Sequence, residues 1–379
     1  MQWVMKMALK FQTKKVVNDS SNKIKITVVA PLLKIKWGGI SVAATNMINC
    51  LRKDPIFEVD TVDINSKPYF PNNIFKKLLK LFIQPSILFI RLLKKRDSQI
   101  FHVHASNNWG IMPIAITAIY AFIFNKKMVV TYHLNKNNFK KNFKIIKILS
   151  KYIDAHIILS EYLLDEISRA GVRPYIVPNI VDIENFNFKL RTKINPKIIV
   201  ARHLAPQYRI EDALLVFSKI SSIFPNAELT IIGNYDNINY KNKIINMIHK
   251  LGLENNVKLL RFIDSRKKLN VLFSRADIFL NTSEMDIFPM ALLEAASNGL
   301  IIVTTNAGGI PYLIHHKING LVAKVGDIEN FYINIKDILK DEEMAKKISF
   351  NARKLAEECS CSNVIKKLKN IYLKLLNPN

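Results

Sequence analysis

Cysteines, acidic residues and long apolar runs are all scarce in this sequence of 379 residues. Its three cysteines, Cys50, Cys359 and Cys361, do not make a disulfide framework, so we expect a reducing, cytoplasmic compartment. The longest apolar run covers residues 110–124 and falls short of the roughly 20 residues that span a bilayer, so we interpret it as a buried helix. Residues 1–22 are too interrupted by lysines for a secretory signal and are expected to form a flexible lead-in.

Basic residues outnumber acidic ones by 56 to 30, which gives a formal net charge of +26. Such an excess of positive charge favours anionic partners, namely membrane phospholipid, nucleic acid or a phosphorylated ligand. The net charge by itself does not choose among these three classes.

Two segments concentrate this charge, Ile74–Arg96 and Lys140–Lys151. In the first, a helix is predicted to break at Pro85, and leucine, isoleucine and phenylalanine fill the faces opposite the basic residues. The basic positions that share helical faces are Lys76, Lys77 and Lys80, then Arg91, Lys94 and Lys95, and in the second segment Lys140, Lys144, Lys147 and Lys151. A solvated helix face explains either segment alone, whereas the two together favour docking on an anionic membrane surface.

Short apolar segments rich in β-forming residues recur along the chain, and helical stretches lie between most of them. Six begin at Lys23, Glu58, Ile100, Met128, Ala155 and Tyr175, and six more begin at Lys197, Ala227, Asn256, Asp277, Leu300 and Gly320. This alternation predicts parallel sheets with crossover helices, and hence an α/β fold. The chain is long enough for two domains, and the polar stretch 182–196 is a reasonable linker between them.

The stretch from Asn281 to Asp327 carries the most specific pattern in the chain. It predicts a strand, a loop, a helix and a second strand, with Gly299 ending the helix as a left-handed C-cap. Asp286 lies on the loop after the first strand, where open α/β sheets bind ligands, and Glu294 lies inside the helix. The first helical turn suits a diphosphate, and carboxylates accept hydrogen bonds from sugar hydroxyl groups. Each residue alone is explained as well by a structural role, but the ordered set favours a ligand site.

This ordered set resembles glycosyltransferase family 4, whose members are retaining enzymes that take a sugar from a nucleotide donor. The family pattern is an acid, any residue, Phe, and Gly or Pro, followed after four residues by Glu-Ala. The matching residues here are Asp286-Ile287-Phe288-Pro289 and Glu294-Ala295, then Gly308-Gly309, Asn319-Gly320 and Asp327 in the family's order. The resemblance implies the GT-B fold, an α/β architecture of two Rossmann-like domains facing a central cleft.

By the same resemblance the chain divides into four parts. Residues 1–22 precede the fold, and residues 23–188 form an N-terminal, acceptor-side Rossmann-like domain. Residues 189–350 form a C-terminal, nucleotide-sugar-binding Rossmann-like domain, and residues 351–379 form a helix that crosses back to the first domain.

The resemblance implies three catalytic residues. Glu294 is expected on the ribose, Asp286 on sugar hydroxyl groups, and His133 near the reacting carbon, because the family commonly has a histidine after the fourth strand. His104 alternates with His102 along the preceding strand and is a second candidate. A structural role is the alternative for any single strand histidine.

Further positions are expected to bind the donor. Arg202 and Arg209 would balance the charge of the diphosphate, because a leaving group without a metal needs fixed positive charge. The other expected donor-binding residues are Phe288, Pro289 and Met290 on the loop and Gly38 and Gly39 after the first strand. A flexible turn explains the two glycines equally well, and an exposed arginine without a ligand explains Arg209 equally well.

No Asp-x-Asp pair occurs in the chain, which disfavours a donor held through a metal ion. We therefore expect no metal and no cofactor, with the nucleotide-diphosphate sugar as a substrate.

The sequence and its resemblance to family 4 thus predict a glycosyltransferase that moves a sugar to a lipid-linked or polysaccharide acceptor, in surface glycan biosynthesis. Retention of configuration is what the resemblance implies. The protein would be peripheral to the inner face of the membrane. Ile180, Arg261 and Tyr312 depart from the family pattern. Arg261, Tyr312 and the altered turn at Gly233 motivate an alternative, a non-catalytic membrane-associated partner with a decayed nucleotide-sugar site. The charge also suggests a nucleic-acid binder, but the basic runs lack aromatic interleaving, so we expect no nucleic-acid partner.

Overall fold

A computed structural model describes most of the chain. The described residues are 23–32, 38–64, 74–106, 111–235, 237–261 and 265–377, and the side chains of 74–82 are not among them. The expected lead-in, residues 1–22, and the side chains of Lys76, Lys77 and Lys80 lie outside this part. Among the helices described, none combines the length and the apolar character needed to cross a membrane.

The chain forms two compact units. The first comprises Met1–Leu159, Leu163–Val177 and Ile365–Asn379, and the second comprises Ser160–Tyr162 and Pro178–Val364. The domain boundaries drawn from the sequence at residues 188 and 350 stay predictions.

The first unit is built on a six-stranded parallel sheet in the order β2-β1-β3-β4-β5-β6. Its strands are β1 (Ile24–Ala30), β2 (Phe57–Asp63), β3 (Ile100–Ser106), β4 (Lys127–His133), β5 (Ala155–Ile158) and β6 (Tyr175–Ile176). Every residue of β3 is buried, as expected for a parallel strand that helices cover on both faces.

Among the described residues, seven helices contribute to this unit. They are α1 (Gly39–Lys53), α2 (Ile74–Leu93), α3 (Met112–Ile123), α4 (Lys136–Lys141), α5 (Phe143–Leu149), α6 (Leu164–Ser168) and the last helix, α13 (Cys361–Leu376). In the last helix, the residues from Ile365 onward belong to the first unit, and the Tyr372 hydroxyl lies 2.6 Å from His102 Nδ1.

The basic segments differ from their predictions in two respects. The helix α2 continues through Pro85 instead of breaking there, because the lost hydrogen bond and the ring clash at an internal proline can kink a helix without ending it. The second segment is not one helix: α4 and α5 meet at Asn142, and a 3-10 turn, Ser150–Tyr152, follows. The side chain of Asn142 donates to the Asn138 carbonyl at 2.8 Å, a local bond that competes with helix continuation.

The apolar run 110–124 is not wholly buried as expected. Its helix α3 buries Thr117 and Tyr120 but leaves Ile119 50% exposed and Phe122 71% exposed. The helix is apolar on all sides, so its outer face carries hydrophobic side chains to the surface.

The second unit is built on another six-stranded parallel sheet, in the order β12-β11-β10-β7-β8-β9. Its strands are β7 (Lys197–Ala201), β8 (Glu228–Ile232), β9 (Val257–Leu260), β10 (Ile278–Asn281), β11 (Ile301–Thr305) and β12 (Leu321–Ala323). The strand order reverses between β7 and β10, which is the switch point where doubly wound sheets bind ligands.

Six helices cover this sheet. They are α7 (Ile210–Ile223), α8 (Ile238–Lys250), α9 (Arg266–Arg275), α10 (Met290–Ser297), α11 (Ile328–Ile338) and α12 (Glu342–Glu358). Side-chain N-caps start four of them, from Asn237, Ser265, Asp327 and Asp341. Asp327, a member of the family pattern, therefore has a structural role at the start of α11.

The end of α10 is fixed from two directions. Gly299 has a φ of +80°, which confirms the predicted left-handed C-cap. The fully buried Arg191 donates to the carbonyl groups of Phe273 and Ala276 and to Asn298 Oδ1, so it ties the ends of α9 and α10 together.

The cysteines are not all free thiols. Cys359 is free and buried, whereas Cys50 and Cys361 are disulfide-bonded. The small number of cysteines therefore does not by itself indicate a reducing compartment.

Candidate functional site

The candidate site of the second unit lies at the carboxyl ends of β7 and β10, where the strand order reverses. Arg202 is the first residue after β7, and Asn281 is the last residue of β10. Asp286 lies on the loop that follows β10, and Glu294 lies in α10. The fold thus brings Arg202 together with Asp286 and Glu294, which the sequence places about 90 residues further on.

Arg202 and Asp286 form an ion pair, with 2.7 Å between Nη2 of the arginine and Oδ2 of the aspartate. The two side chains are only 11% and 14% exposed. Burial raises the pKa of Asp286, and the charge of Arg202 opposes this rise. The guanidinium therefore stabilises an ionised carboxylate where water has little access.

A buried polar network holds Arg202 in place. Its Nε donates to Asn281 Oδ1 at 3.1 Å, and the same oxygen accepts from the Ser283 hydroxyl at 2.6 Å. Asn281 in turn donates to the Thr304 hydroxyl at 2.9 Å. No local sequence pattern indicates Asn281, because its contact with Arg202 joins residues that are 79 positions apart.

Glu294 is buried in α10 and forms an ion pair with Arg266, at the start of α9. Burial raises the pKa of Glu294, and the charges of Arg266 and then Arg202 oppose the rise. Both buried carboxylates of the site thus lie in the field of arginines. Arg266 is a second residue that the sequence analysis missed.

The first turn of α10 has no side-chain cap. Pro289 occupies the N-cap position in an extended conformation, and its side chain makes no capping hydrogen bond. Phe288, Pro289 and Met290 are all buried, and the Phe288 carbonyl accepts from the Asn179 side chain at 3.3 Å. The backbone N–H groups of this turn suit an anion, because they point out of the positive end of the helix dipole.

Arg209 lies beside this site but has a partner in its own helix. Its guanidinium donates to both carboxylate oxygens of Asp212, at 2.6 and 3.2 Å, and its side chain is 37% exposed. Its φ of 47° is left-handed, an uncommon conformation for an arginine. The Thr282 hydroxyl donates to the Arg209 carbonyl at 2.9 Å, which fastens this loop to the end of β10.

The Gly308-Gly309 turn packs on the loop that carries Asp286. A Cβ atom at Gly308 would lie 2.1 Å from the Asp286 carbonyl oxygen, and one at Gly309 would lie 2.0 Å from that of Ile287. The Gly309 N–H donates to the Asp286 carbonyl at 2.7 Å. The two glycines thus permit a close approach between two loops of the protein itself.

The expected residues of the first unit lie at the carboxyl ends of its strands. His133 ends β4, and its Nε2 lies 2.9 Å from His104 Nδ1. Gly38 and Gly39 start α1, with no atom within 4 Å of a Cβ added to either. Their expected roles toward a donor stay predictions.

The three departures from the family pattern differ in their surroundings. Ile180 is buried, Arg261 is exposed, and Tyr312 is 43% exposed with its ring 6.3 Å from that of Tyr162. Within the described ranges, no group of three or more His, Cys, Asp or Glu side chains is arranged to hold a metal ion.

Solved structures share this architecture over almost the whole chain. The structure of Anabaena HepE in complex with UDP and glucose has a TM-score of 0.71 and 17% identity, covering 93% of this chain and all of that one. The sucrose-phosphate synthase of Thermosynechococcus elongatus has a TM-score of 0.77 and 16% identity, over 93% of this chain and 99% of that one. The two Rossmann-like sheets are those of the GT-B class of glycosyltransferases.

Curated relatives share sequence with this chain over different parts of their own lengths. The UDP-Gal:alpha-D-GlcNAc-diphosphoundecaprenol alpha-1,3-galactosyltransferase of Escherichia coli is 21% identical over 87% of this chain and 89% of its own length. The poly(glycerol-phosphate) alpha-glucosyltransferase of Bacillus subtilis is 28% identical over 65% of this chain and 36% of its own length. The chain spans less than half the length of the curated relatives it matches first, with 24%, 42% and 36% of their lengths covered.

Two family models match consecutive parts of the chain. The model described as Glycosyltransferase Family 4 matches residues 37–185, and the model described as Glycosyl transferases group 1 matches residues 182–355. The first range contains His133, and the second contains Arg202, Asp286 and Glu294. The chain belongs to the family 4 glycosyltransferases.

Proposed function

We propose that this protein transfers a sugar from a nucleoside diphosphate to a lipid-linked or polysaccharide acceptor, with retention of configuration at the anomeric carbon. The observation that carries the proposal is one cluster in the second unit. Two carboxylates with little exposure, the partly buried Asp286 and the buried Glu294, meet two arginines, Arg202 and Arg266, beside the uncapped first turn of α10. Such a cluster offers positive charge for a diphosphate and acceptors for hydroxyl groups.

The diphosphate would bind between Arg202 and the first turn of α10. Arg202 is 11% exposed and already oriented by Asn281, so little side-chain freedom is lost when a ligand binds. Its charge and the N–H groups of the helix would stabilise the negative charge that develops on the departing phosphate. Arg209 could join them if the diphosphate displaced it from Asp212. This arrangement needs no metal ion to balance the leaving group.

Hydroxyl groups of the donor would bind the two carboxylates. We assign the ribose to Glu294 and the transferred sugar to Asp286. The arginine partners favour the ionised form of each carboxylate, and the ionised form is the one that only accepts hydrogen bonds. Phe288, Pro289 and Met290 would place the backbone N–H groups of the turn against the donor, between the two carboxylates.

Retention and the acceptor are supported by the relatives' names. The E. coli relative is named for UDP-Gal, an α-linked donor, and for an α-1,3 product, so that enzyme keeps the anomeric configuration. Its acceptor carries a diphosphoundecaprenol lipid, and the B. subtilis relative acts on poly(glycerol-phosphate). We infer a glycan acceptor of this kind for the present chain, in surface glycan biosynthesis, with His133 near the reacting carbon.

We also propose that the first unit docks on the anionic inner face of the membrane. Exposed apolar side chains come from α3, α5 and the turn after it, and the rings of Phe122 and Tyr152 pack edge to face at 5.4 Å. The apolar residues are Ile119, Phe122, Ile145, Ile148 and Tyr152, and the exposed lysines among them are Lys144, Lys147 and Lys151. We call these eight residues the docking face. Apolar side chains bordered by lysines are typical of surfaces that bind anionic bilayers.

The segment Ile74–Arg96 supports this proposal less than its sequence suggested. Arg91 donates to the Asp63 carbonyl at 2.7 Å, and Lys95 forms an ion pair with Asp60 at 2.9 Å. Lys94 and Arg96 are exposed. The docking face, rather than α2, therefore carries the proposal.

Nucleotide binding tests the donor site directly. We expect calorimetry with UDP, GDP and ADP to find one nucleotide that binds, and Glu294→Gln to weaken it by about tenfold or more, because the lost hydrogen bonds involve a charge. Glu329→Gln is the matched control, since Glu329 is an exposed residue of α11. Equal affinity in Glu294→Gln and the wild type, or binding of none of the nucleotides, would contradict the proposal.

A further inference from the structure

Three polar side chains share the carboxyl end of β3 and β4 in the first unit. His104 and Ser106 are two residues apart on β3 and therefore point to the same face of the sheet. Ser106 pairs in register with His133, the last residue of β4. All three side chains are nearly inaccessible, with exposures of 3%, 4% and 3%. We call them the β3–β4 cluster.

The two imidazoles of the cluster share one hydrogen bond, between His104 Nδ1 and His133 Nε2 at 2.9 Å. Burial lowers the pKa of His133 to about 4, and burial followed by the neighbouring histidines holds the pKa of His104 well below its usual value. Both rings are therefore neutral at physiological pH, and each carries one N–H. One ring donates this N–H to the other.

This shared bond fixes what the other nitrogens of the pair can do. If His104 donates, its Nε2 keeps a lone pair and His133 Nδ1 carries a hydrogen. If His133 donates, His104 Nε2 carries the hydrogen and His133 Nδ1 keeps the lone pair. In both cases the pair offers one donor and one acceptor, which a hydroxyl group can satisfy because it both donates and accepts.

His102 provides an internal comparison. It lies two residues before His104 on the same face of β3, and both of its nitrogens have partners. Its Nδ1 lies 2.6 Å from the Tyr372 hydroxyl, and its Nε2 lies 2.7 Å from the Thr131 hydroxyl. Both ring nitrogens of His102 therefore have hydrogen-bond partners within the protein.

By contrast, His104 Nε2 and Ser106 Oγ are buried and lack a hydrogen-bond partner. Native proteins rarely leave buried polar atoms unsatisfied, so such atoms indicate a missing ligand or water. No described lysine or arginine forms a hydrogen bond or ion pair with the cluster. Neutral imidazoles and a hydroxyl do not balance an anion, so the matching ligand is uncharged.

We propose that His104 Nε2 and Ser106 Oγ form a subsite for one uncharged sugar hydroxyl group, beside the polar edge of His133. The subsite rests on the proposed transfer of sugar and adds a hydroxyl-binding position to it. The hydroxyl group belongs either to the sugar being transferred or to the acceptor glycan, and the two sources share the same chemistry.

Two substitutions remove the subsite with little change in shape. His104→Asn places an amide where Nδ1 was, so it keeps a partner for His133 but removes Nε2. Ser106→Ala removes one hydroxyl that has no protein partner. Thr117→Val is the matched control, because Thr117 Oγ1 on α3 is equally buried and also lacks a partner.

The first arm of the test uses protein labelled with ¹⁵N-histidine and follows the imidazole signals by NMR. The probes are the methyl glycosides of glucose, galactose and N-acetylglucosamine, with glucose 6-phosphate and glucuronic acid as charged counterparts. We expect one or more neutral glycosides to shift the His104 signal in the wild type and in Thr117→Val. His104→Asn and Ser106→Ala should bind them about threefold to tenfold more weakly, as loss of one neutral hydrogen bond predicts.

Three results of this arm would overturn the proposal. The first is equal affinity in Ser106→Ala and Thr117→Val. The second is a response to the charged sugars alone. The third is an unchanged His104 signal up to the solubility limit of every neutral glycoside, which would mean that buried water satisfies the two atoms.

The second arm identifies the source of the hydroxyl group by comparing donor hydrolysis without acceptor and sugar transfer with acceptor. If both rates fall in Ser106→Ala, the hydroxyl belongs to the donor sugar; if only transfer falls, it belongs to the acceptor. Rates equal to those of Thr117→Val in both assays would contradict the subsite. Sugar-dependent histidine shifts in a protein that cleaves no nucleotide sugar would support the subsite and reject the proposed transfer.

Discussion

Asp286 and Glu294 are two carboxylates that the second unit buries against arginine. A buried charge without a partner is costly, so Arg202 and Arg266 stabilise the two carboxylates. These contacts link distant parts of the sequence, since Arg266 precedes Glu294 by 28 residues. A ligand with hydroxyl and phosphate groups would add hydrogen bonds to a site that is already charged and oriented.

The buried histidines of the first unit predict a pH dependence of its stability. Burial lowers the pKa of His102 to about 3 and of His133 and His156 to about 4, below the usual 6.5. The unfolded chain therefore binds protons at a pH where the folded chain does not. Stability contributed by each neutral histidine is present above pH 6.5 and is lost as the pH falls toward 4, by about 1.4 kcal/mol per pH unit.

His156→Asn isolates this effect. The Asn side chain reaches the place of Nδ1 and keeps a partner for the Tyr132 hydroxyl, which lies 2.9 Å from that atom. Hydrogen exchange of the β4 and β5 amides between pH 7 and pH 5 should show a shallower loss of opening free energy than in the wild type. His249→Gln, at an exposed position, should keep the wild-type slope. An unchanged slope in His156→Asn would mean that burial does not keep His156 neutral in the folded protein.

At this scale, the residues of the short motif could be predicted and their partners could not. Asp286, Phe288, Pro289 and Glu294 lie within nine residues, so a local pattern identifies them. Asn281 and Arg266 act through contacts that depend on the sheet order, and no local spacing reveals them. No local pattern indicates Ser106 either, because only the structure shows that its buried hydroxyl lacks a hydrogen-bond partner.

The loop between β10 and α10 is the element on which the candidate site depends. The Gly308-Gly309 turn packs against this loop, and the backbone of the turn contacts the carbonyl groups of Asp286 and Ile287. Side chains larger than hydrogen do not fit there, so the glycines set the position of the Asp286 loop.

Gly309→Ala tests this dependence. The added Cβ would meet the Ile287 carbonyl oxygen at 2.0 Å, and because Gly309 has a φ of −87°, the effect is one of space and not of backbone strain. We expect a loss of about 1–3 kcal/mol in stability, the usual range for overpacking, together with weaker nucleotide binding. Gly38→Ala is the control for stability alone, since a Cβ there meets nothing within 4 Å, and it should change the unfolding midpoint little. Equal midpoints for the two variants would show that the loop moves away without cost.

The elements themselves were predictable because the strands are apolar and regularly spaced. All twelve strands form at the predicted segments, and the reversal of strand order places the loops of β7 and β10 together. Two helical predictions were wrong. Pro85 was expected to break a helix, but α2 continues through it. Lys140–Lys151 was expected to form one helix, but it is divided at Asn142, whose side chain donates to the Asn138 carbonyl.

On the scale of the whole molecule, the net charge of +26 favours an anionic partner. In the first unit, the docking face combines lysines with apolar side chains, of which Phe122 is 71% exposed. The ring of Phe122 packs on that of the exposed Tyr152, and the docking face also exposes three isoleucines. An exposed apolar patch of this kind marks an interaction surface. An anionic bilayer would accept both the charge and the apolar groups.

Vesicle flotation tests this face. We expect the protein to float with vesicles that contain phosphatidylglycerol, to bind less at high salt, and to bind neutral phosphatidylcholine vesicles weakly. Phe122→Ser should reduce binding by about tenfold or more, since a buried phenylalanine contributes about 1.5–3 kcal/mol. Phe350→Ser, at a 48% exposed site of the second unit, is the control. Equal flotation of the two variants, or no binding at low salt, would contradict the docking proposal.

Hydrolysis of nucleotide sugars is the most direct test of the proposed donor site in the second unit. Purified protein would be offered a panel of UDP-, GDP- and ADP-sugars beside Glu294→Ala, Arg202→Ala and the control Arg275→Ala, which changes an exposed arginine of α9. We expect slow cleavage of one donor, an α-configured sugar as the first product by NMR, and loss of cleavage in the first two variants only. Cleavage that survives in both Glu294→Ala and Arg202→Ala, or no cleavage of any donor, would contradict a working donor site at the carboxyl ends of β7 and β10.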